Sequence, residues 1–238
     1  MTQTHLQNPS STGLDAYGRR RLVQVVVILL VMVGIYFLAA GRITLPWGWV
    51  YLGVALISLV IGGFYVLRLN PQAINERGRP AENQKAWDKT FVKLYTPLYF
   101  LVYIVAGLDA RFGWSQVPLW LHLLGVVGTF AGSFLTYAAM AHNPFLAQVV
   151  QIADQRGHRV ATGGPYSMLR HPMYASFFLS YPGAAFLFGS WWTFIPVVLA
   201  CILVLIRTAL EDRTLQAELP GYAEYAARVR YRLLPGVW

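Results

Sequence analysis

The stretch YASFFLSYPGAAFLFGSWWTFIPVVLACILVLI, residues 174–206, runs for 33 residues without a charged side chain. A helix that crosses a membrane needs about 20 apolar residues, so this stretch is too long for one crossing and barely sufficient for two. Gly189 and Ser190 lie near its middle and favour a turn there. Pro182 and Pro196 would kink the two arms, which membrane helices tolerate. We therefore predict a helical hairpin near the C-terminus.

Four further runs without Lys, Arg, Asp or Glu precede the hairpin, at residues 22–40, 47–67, 94–108 and 119–140. The first is longer than the apolar core of a cleaved signal peptide, so we expect it to remain as a span. Beyond Arg207 the pattern becomes amphipathic and charged, as in helices that lie on a membrane surface. The sequence thus predicts an all-α membrane bundle of five to six transmembrane helices, with a cytosolic amphipathic helix at the C-terminus.

Composition and the placement of charge also indicate a membrane protein. The 238 residues are 56% hydrophobic and 12% charged, about half the charged fraction of a typical soluble domain. With six crossings, every Lys and Arg except Arg42 and Arg111 falls on the side of the two termini, which the positive-inside rule makes cytosolic. This distribution accounts for the net charge of +9, so we expect no nucleic-acid partner. Without an organelle signal, we expect the inner (plasma) membrane of a prokaryote.

One segment, residues 143–174, is too polar to cross lipid and contains an unusual cluster. The sequence Gly-Gly-Pro at 163–165 forces a turn just before four polar or aromatic side chains, Tyr166, Arg170, His171 and Tyr174. A purely structural interpretation is that His171 caps a helix that begins at Pro172. The alternative is that the four side chains line a binding site.

A second cluster follows the hairpin. Arg207 and Glu211 are four residues apart and share a helix face, and Asp212 adds a second carboxylate just beyond the membrane. Such a pair needs a cationic partner, which neighbouring arginines or a ligand could supply. With Tyr222 and Tyr225 further along, the two clusters predict a cytosolic pocket for a polar ligand with a cationic centre and for a lipid-like substrate.

Together the clusters form a recognisable series. The run GHRVATGGPYSMLRHPMY, residues 157–174, is followed by Arg207, by the Glu211-Asp212 pair and by a Tyr-x-x-Tyr sequence at 222–225. This series resembles the isoprenylcysteine carboxyl methyltransferase and phospholipid methyltransferase superfamily over roughly residues 119–235. Two positions depart from that signature: Asp212 replaces a Glu, and Ser176 replaces a Gly that follows Arg-His-Pro-x-Tyr.

The resemblance implies an S-adenosylmethionine-dependent methyltransferase with its cofactor bound on the cytosolic side. The acceptor would be a membrane lipid or hydrophobic small molecule that offers a carboxylate, amine or thiol. Carried over by position, the cofactor-binding residues are Tyr166, Arg170, His171, Tyr174, Glu211, Tyr222 and Tyr225, and the catalytic residues are Arg207, Glu211 and Asp212.

The polar composition of the N-terminus and the extent of the resemblance divide the chain into three parts. Residues 1–18 would be a disordered cytosolic tail, 19–118 the N-terminal transmembrane helices with a cytosolic loop, and 119–238 the methyltransferase-like catalytic core. We predict that Pro71 and Pro80 break helices within that loop. No metal site is expected, because Cys201 is the single cysteine and no three metal ligands converge in the sequence.

Two other classes of function remain open. Membrane sterol reductases resemble this superfamily in their C-terminal half and use NADPH, whose 2′-phosphate the arginines at 228–232 could bind. A small transporter or scaffold is the non-enzymatic alternative, but it predicts charged or broken helices at the bilayer midplane. Finally, Gly128 and Gly132 in the fourth run favour close helix packing, within the chain or in a homodimer.

Overall fold

The computed structural model describes residues 13–81, 83–151 and 157–238, and within these ranges it contains helices and no strand. The helices are α1 (Ala16–Ala40), α2 (Pro46–Leu69), α3 (Pro71–Gly78), α4 (Ala86–Phe112), α5 (Leu119–His142), a 3-10 turn (Gly164–Ser167), α6 (Pro172–Phe188), α7 (Phe194–Glu218) and α8 (Tyr222–Arg228). The all-α prediction is confirmed. The predicted tail lies outside the described residues as far as residue 12, and α1 begins within its remainder at Ala16.

The predicted bundle of five to six membrane helices is also confirmed. Five helices are long and apolar enough to cross a membrane: α1, α2, α4, α5 and α7. The 17-residue α6 forms the predicted hairpin with α7, and Gly189 ends α6 in the left-handed region at φ 72°. Helix α7 does not stop at the end of the uncharged stretch but continues to Glu218, so it carries the acidic pair on its last turns.

A helix that we did not predict from the sequence lies between α2 and α4. Pro71 does not only break α2 but also begins α3, because its fixed backbone angle suits a first helical turn. Ala73 and Ile74 of α3 are buried against Ala139 of α5 and Tyr166 of the 3-10 turn. Helix α3 therefore packs across the end of the bundle where α2 ends and α4 begins. We call this end the cavity end, because the cavity described below opens there.

Helices α5 and α6 approach each other through glycines. A Cβ atom added to Gly132 would lie 2.7 Å from the carbonyl oxygen of Ser176, and one added to Gly128 would lie 3.2 Å from the Cα atom of Gly183. The glycine pattern is thus used within the chain. Because α6 covers these glycines, they give no support to the predicted homodimer.

We expect Gly125→Ala to lower the free energy of unfolding by about 1–3 kcal/mol, as overpacking does. The new Cβ would lie 2.3 Å from the backbone nitrogen of Leu187 and 2.6 Å from the carbonyl oxygen of Gly183, and neither backbone can easily shift. Thermal unfolding in detergent measures the effect. Gly63→Ala in α2 is the matched control, since no atom lies within 4 Å of its added Cβ. Equal stability of the two variants would contradict this packing.

Candidate functional site

A cavity of about 280 Å³ opens at the cavity end of the bundle. It is bounded by the start of α4, the segment after α5, the start of α6, the last turns of α7 and α8. All predicted site residues except Asp212 line it: Tyr166, Arg170, His171, Tyr174, Arg207, Glu211, Tyr222 and Tyr225. The structure therefore brings the two sequence clusters together around one space.

The segment before α6 is shaped by glycine and proline. Gly164 has φ 54°, and an added Cβ would lie 2.5 Å from the ring of His142, so a larger residue fits poorly there. His171 occupies the position before α6, and Pro172 begins the helix, as the structural interpretation predicted. The His171 side chain, however, makes no capping hydrogen bond. Its ring is therefore available for contacts with α7 and α8.

Asp212 holds the wall behind the cavity together. Its side chain is fully buried, at 0% exposure, and it does not line the cavity. Five side chains direct N–H or O–H groups at its two oxygens over 2.9–3.2 Å: Arg170, His171, Gln216, Tyr222 and Arg232. These residues come from the segment before α6, from α7 and α8, and from the chain that follows α8. Asp212 thus fixes the residues that surround the cavity rather than facing it.

Glu211, by contrast, faces the cavity. The hydroxyl of Tyr174 donates a hydrogen bond to its carboxylate, and the side chain retains 19% exposure. The Nδ1 atom of His171 lies 3.9 Å from Glu211 Oε1, while Nε2 of the same ring lies 3.2 Å from Asp212 Oδ1. Adjacent residues on a helix point about 100° apart, which accounts for the different surroundings of the two carboxylates.

Asp88 is a residue of the site that sequence reasoning missed. It is fully buried in α4, and its carboxylate lies 3.0 Å from a terminal nitrogen of Arg207. It also accepts hydrogen bonds from Gln84 and from the backbone of Val150. The Arg207 guanidinium lies over the ring of Phe91, 4.5 Å from its centroid. The signal that could have found Asp88 is a lone carboxylate at the start of a membrane helix, which needs a partner.

The chain around α8 closes the site from outside. The Tyr225 hydroxyl donates to the carbonyl oxygen of Tyr166 at 2.7 Å, and the backbone of Arg170 donates to that of Tyr231 at 2.9 Å. Burial raises the pKa of Tyr225 to about 12 and also raises the pKa of Tyr222, which lies beside Asp212. Both hydroxyls therefore stay protonated donors near neutral pH. Helix α8 has only seven residues, so the amphipathic surface helix stays a prediction.

The donor set suits a ligand that carries both charge signs. Glu211 offers a carboxylate beside aromatic rings, an arrangement that attracts cations. Arg170 lines the same cavity, and its buried Nε has no hydrogen-bond partner among the described residues. In those residues no group of three or more His, Cys, Asp or Glu side chains could hold a metal ion. The residues present thus fit a zwitterionic organic cofactor such as S-adenosylmethionine.

Ser176, which replaces a signature glycine, does not narrow the cavity. Its hydroxyl lies 2.7 Å from that of Thr136 on α5 and donates to the carbonyl oxygen of Met173. The side chain is fully buried between α5 and α6 and is not part of the cavity lining. The Ser176 side chain is therefore accommodated between the two helices and does not enter the cavity.

Comparison with known proteins gives one family. Residues 120–219 match the family model described as phospholipid methyltransferase. The matched range is less than half of the chain. The matched range contains the whole motif before α6 together with Arg207, Glu211 and Asp212, but not Asp88 or α8. No curated protein matches the chain.

Proposed function

We propose that this chain, which matches the phospholipid methyltransferase family model over residues 120–219, uses S-adenosylmethionine to methylate a lipid-like or hydrophobic acceptor. The family indicates a membrane methyltransferase. The observation that carries the finer proposal is that Glu211 and Arg170 line the same cavity, together with the aromatic side chains of Phe91, Tyr95 and Tyr174. A carboxylate and an arginine together match the two charge signs of this cofactor.

S-adenosylmethionine would supply a methyl group already activated on a positively charged sulfur. Glu211 and the ring of Tyr174 would stabilise the cationic centre, and Arg170 would bind an anionic group. Leu215 and Leu219 give the cavity an apolar wall suited to a nucleoside base. The structure supports this assignment because each of these side chains lines the same space.

The protein's own part in the reaction is to position the acceptor and exclude water. Arg207 donates to the carbonyl oxygen of Gln148 at 3.0 Å and so ties the segment after α5 to α7 across the cavity. Holding two reactants at near-attack distance can lower the activation barrier by on the order of 7–11 kcal/mol. Enclosure of this kind favours methyl transfer over hydrolysis.

The groups in the cavity serve either class of acceptor. A carboxylate acceptor needs no base, and Arg207 would orient it. An amine or thiol must lose a proton. His171 donates through Nε2 to Asp212, which leaves Nδ1, near Glu211, as the basic nitrogen on that ring. Asp212 would then act through His171 and not on the acceptor itself.

The site would face the cytosol of a prokaryotic cell, with both chain termini on the same side. The cavity end carries the motif and the polar segment between α2 and α4. Most of the described basic residues fall at this end of the helices. The positive-inside rule places such an end in the cytosol. S-adenosylmethionine is made there, so this orientation gives the enzyme its cofactor.

Calorimetric titration of the detergent-purified protein with S-adenosylhomocysteine tests the proposal. We expect saturable binding of this thioether and no binding of NADPH, because the cavity is lined by both the Glu211 carboxylate and the Arg170 guanidinium. Incubation of membranes with methyl-labelled S-adenosylmethionine should then transfer label to the lipid extract. Binding of NADPH in place of the thioether would favour the reductase alternative. Binding of neither ligand would refute both the methyltransferase proposal and the reductase alternative.

A further inference from the structure

Arg77 is a cavity residue that lies outside both sequence clusters and outside the family match. It belongs to α3 and lines the same cavity as Glu211. Its backbone carbonyl accepts a hydrogen bond from Gln148, whose own carbonyl is bound by Arg207. The side chain is thus placed at the cavity by contacts that join α3 to α7.

Among the residues that the structure describes, no carboxylate matches the charge of Arg77. Arg170 and Arg207 pair with Asp212 and Asp88, but Arg77 has no carboxylate within ion-pair distance among the described residues. The hydrogen bond of its side chain goes to the sulfur of Met173 at 3.3 Å, and a thioether is a weak acceptor. The guanidinium is half-buried, and its remaining N–H groups have no protein acceptor among the described residues, so they are free to bind a ligand in the cavity.

The surroundings of Arg77 also favour an anion. Burial, together with the nearby positive charges of Arg21 and Arg207, lowers its pKa to about 10. The side chain therefore stays charged near neutral pH, with the positive charges of Arg21 and Arg207 in its vicinity. Binding of a negative group would offer acceptors to these N–H groups and would offset the repulsion between the arginines.

We propose that Arg77 binds an anionic oxygen group, carboxylate or phosphate, of a ligand held in this cavity. The inference deepens the proposed function and rests on it for the identity of the ligand. Two sources share this chemistry: the amino-acid carboxylate of the cofactor and an acidic group on the lipid acceptor. Arginine suits both groups, because its planar guanidinium can form two parallel hydrogen bonds to them.

The test compares Arg77→Gln with wild type in two pairs of calorimetric titrations. The first pair is S-adenosylhomocysteine and 5′-methylthioadenosine, which lacks the amino-acid carboxylate. The second is dihexanoyl phosphatidate and dihexanoylglycerol, which lacks the phosphate. We expect the substitution to weaken the acidic member of one pair at least tenfold and to leave its uncharged partner unchanged. The pair that responds identifies the source of the anion.

Two control variants sharpen the comparison. Arg68→Gln removes an exposed positive charge near the same end of the bundle, from a residue that does not line the cavity, and should bind every probe like wild type. Arg77→Lys keeps the charge and should recover part of the lost affinity. Unchanged binding of both acidic probes by Arg77→Gln would overturn the proposal. So would an equal loss of the acidic and uncharged members, since that result indicates a structural role.

Failure of the proposed function gives a different pattern. If wild type binds neither nucleoside, the methyltransferase proposal fails, while the phosphatidate pair still tests Arg77. If wild type binds both nucleosides and Arg77→Gln binds every acidic probe as tightly as wild type does, the methyltransferase proposal stands and the proposed role of Arg77 is refuted.

Discussion

Glu211→Gln is expected to lower methyl transfer at least a hundredfold while leaving the fold intact. The amide has nearly the same shape, and Tyr174 can still donate its hydroxyl hydrogen to the new carbonyl oxygen. The negative charge that faces the cavity is lost, so a cationic ligand loses its electrostatic partner. Sinefungin carries an ammonium group near the position of the sulfonium, whereas the sulfur of S-adenosylhomocysteine is uncharged. The substitution should therefore weaken the binding of sinefungin more than that of S-adenosylhomocysteine.

Glu218→Gln is the matched control for this prediction. Glu218 lies on the same helix two turns further along, pairs with Lys85 at 2.6 Å and does not line the cavity. Removing its charge alters the charge of the protein equally but should leave turnover and both titrations unchanged, since exposed pairs contribute little. Turnover at the wild-type rate in Glu211→Gln, or an equal loss in Glu218→Gln, would contradict the assigned role of Glu211.

The membrane fold was predictable because lipid imposes a length rule that a single sequence displays. The 33 uncharged residues at 174–206 are too many for one crossing and predicted a helical hairpin, and Gly189 marked its turn. Helix α3 was not predictable from the same rule. It has eight residues and begins and ends near prolines, and its apolar residues become meaningful only once α5 packs against them.

The sequence predicted most of the residues that the structure gathers around the cavity, but not which of them face it. Motif order identified Glu211 and Asp212 as a pair, but nothing in two neighbouring acidic letters says which one faces a cavity. That depends on Arg232, which reaches Asp212 from 20 residues further along the chain. Arg77 and Asp88 were missed for a related reason. Arg77 lies in α3 and Asp88 at the start of α4, and the approach of these residues to Arg207 of α7 is a property of the tertiary structure.

The contrast between the two carboxylates leads to the second large effect. Asp212→Asn is expected to lower the free energy of unfolding by about 3–5 kcal/mol, the range for breaking a buried ion pair by removing one partner. The aspartate receives five donors, and an asparagine has one acceptor oxygen and turns its amide N–H groups toward the others. Arg170 and Arg232 would keep their charges without a carboxylate.

Thermal unfolding and S-adenosylhomocysteine binding, measured on the same samples, separate the two roles. Asp212→Asn should lose stability and ligand binding together, because His171, Arg170 and Tyr222 all lose the group that orients them. Asp212→Glu, which restores a carboxylate, should recover most of both. Glu211→Gln should lose turnover with little change in unfolding temperature. An Asp212→Asn protein that unfolds like wild type but is inactive would mean that Asp212 acts on the reacting groups directly, and the assignment of the cavity-facing carboxylate to Glu211 alone would fall.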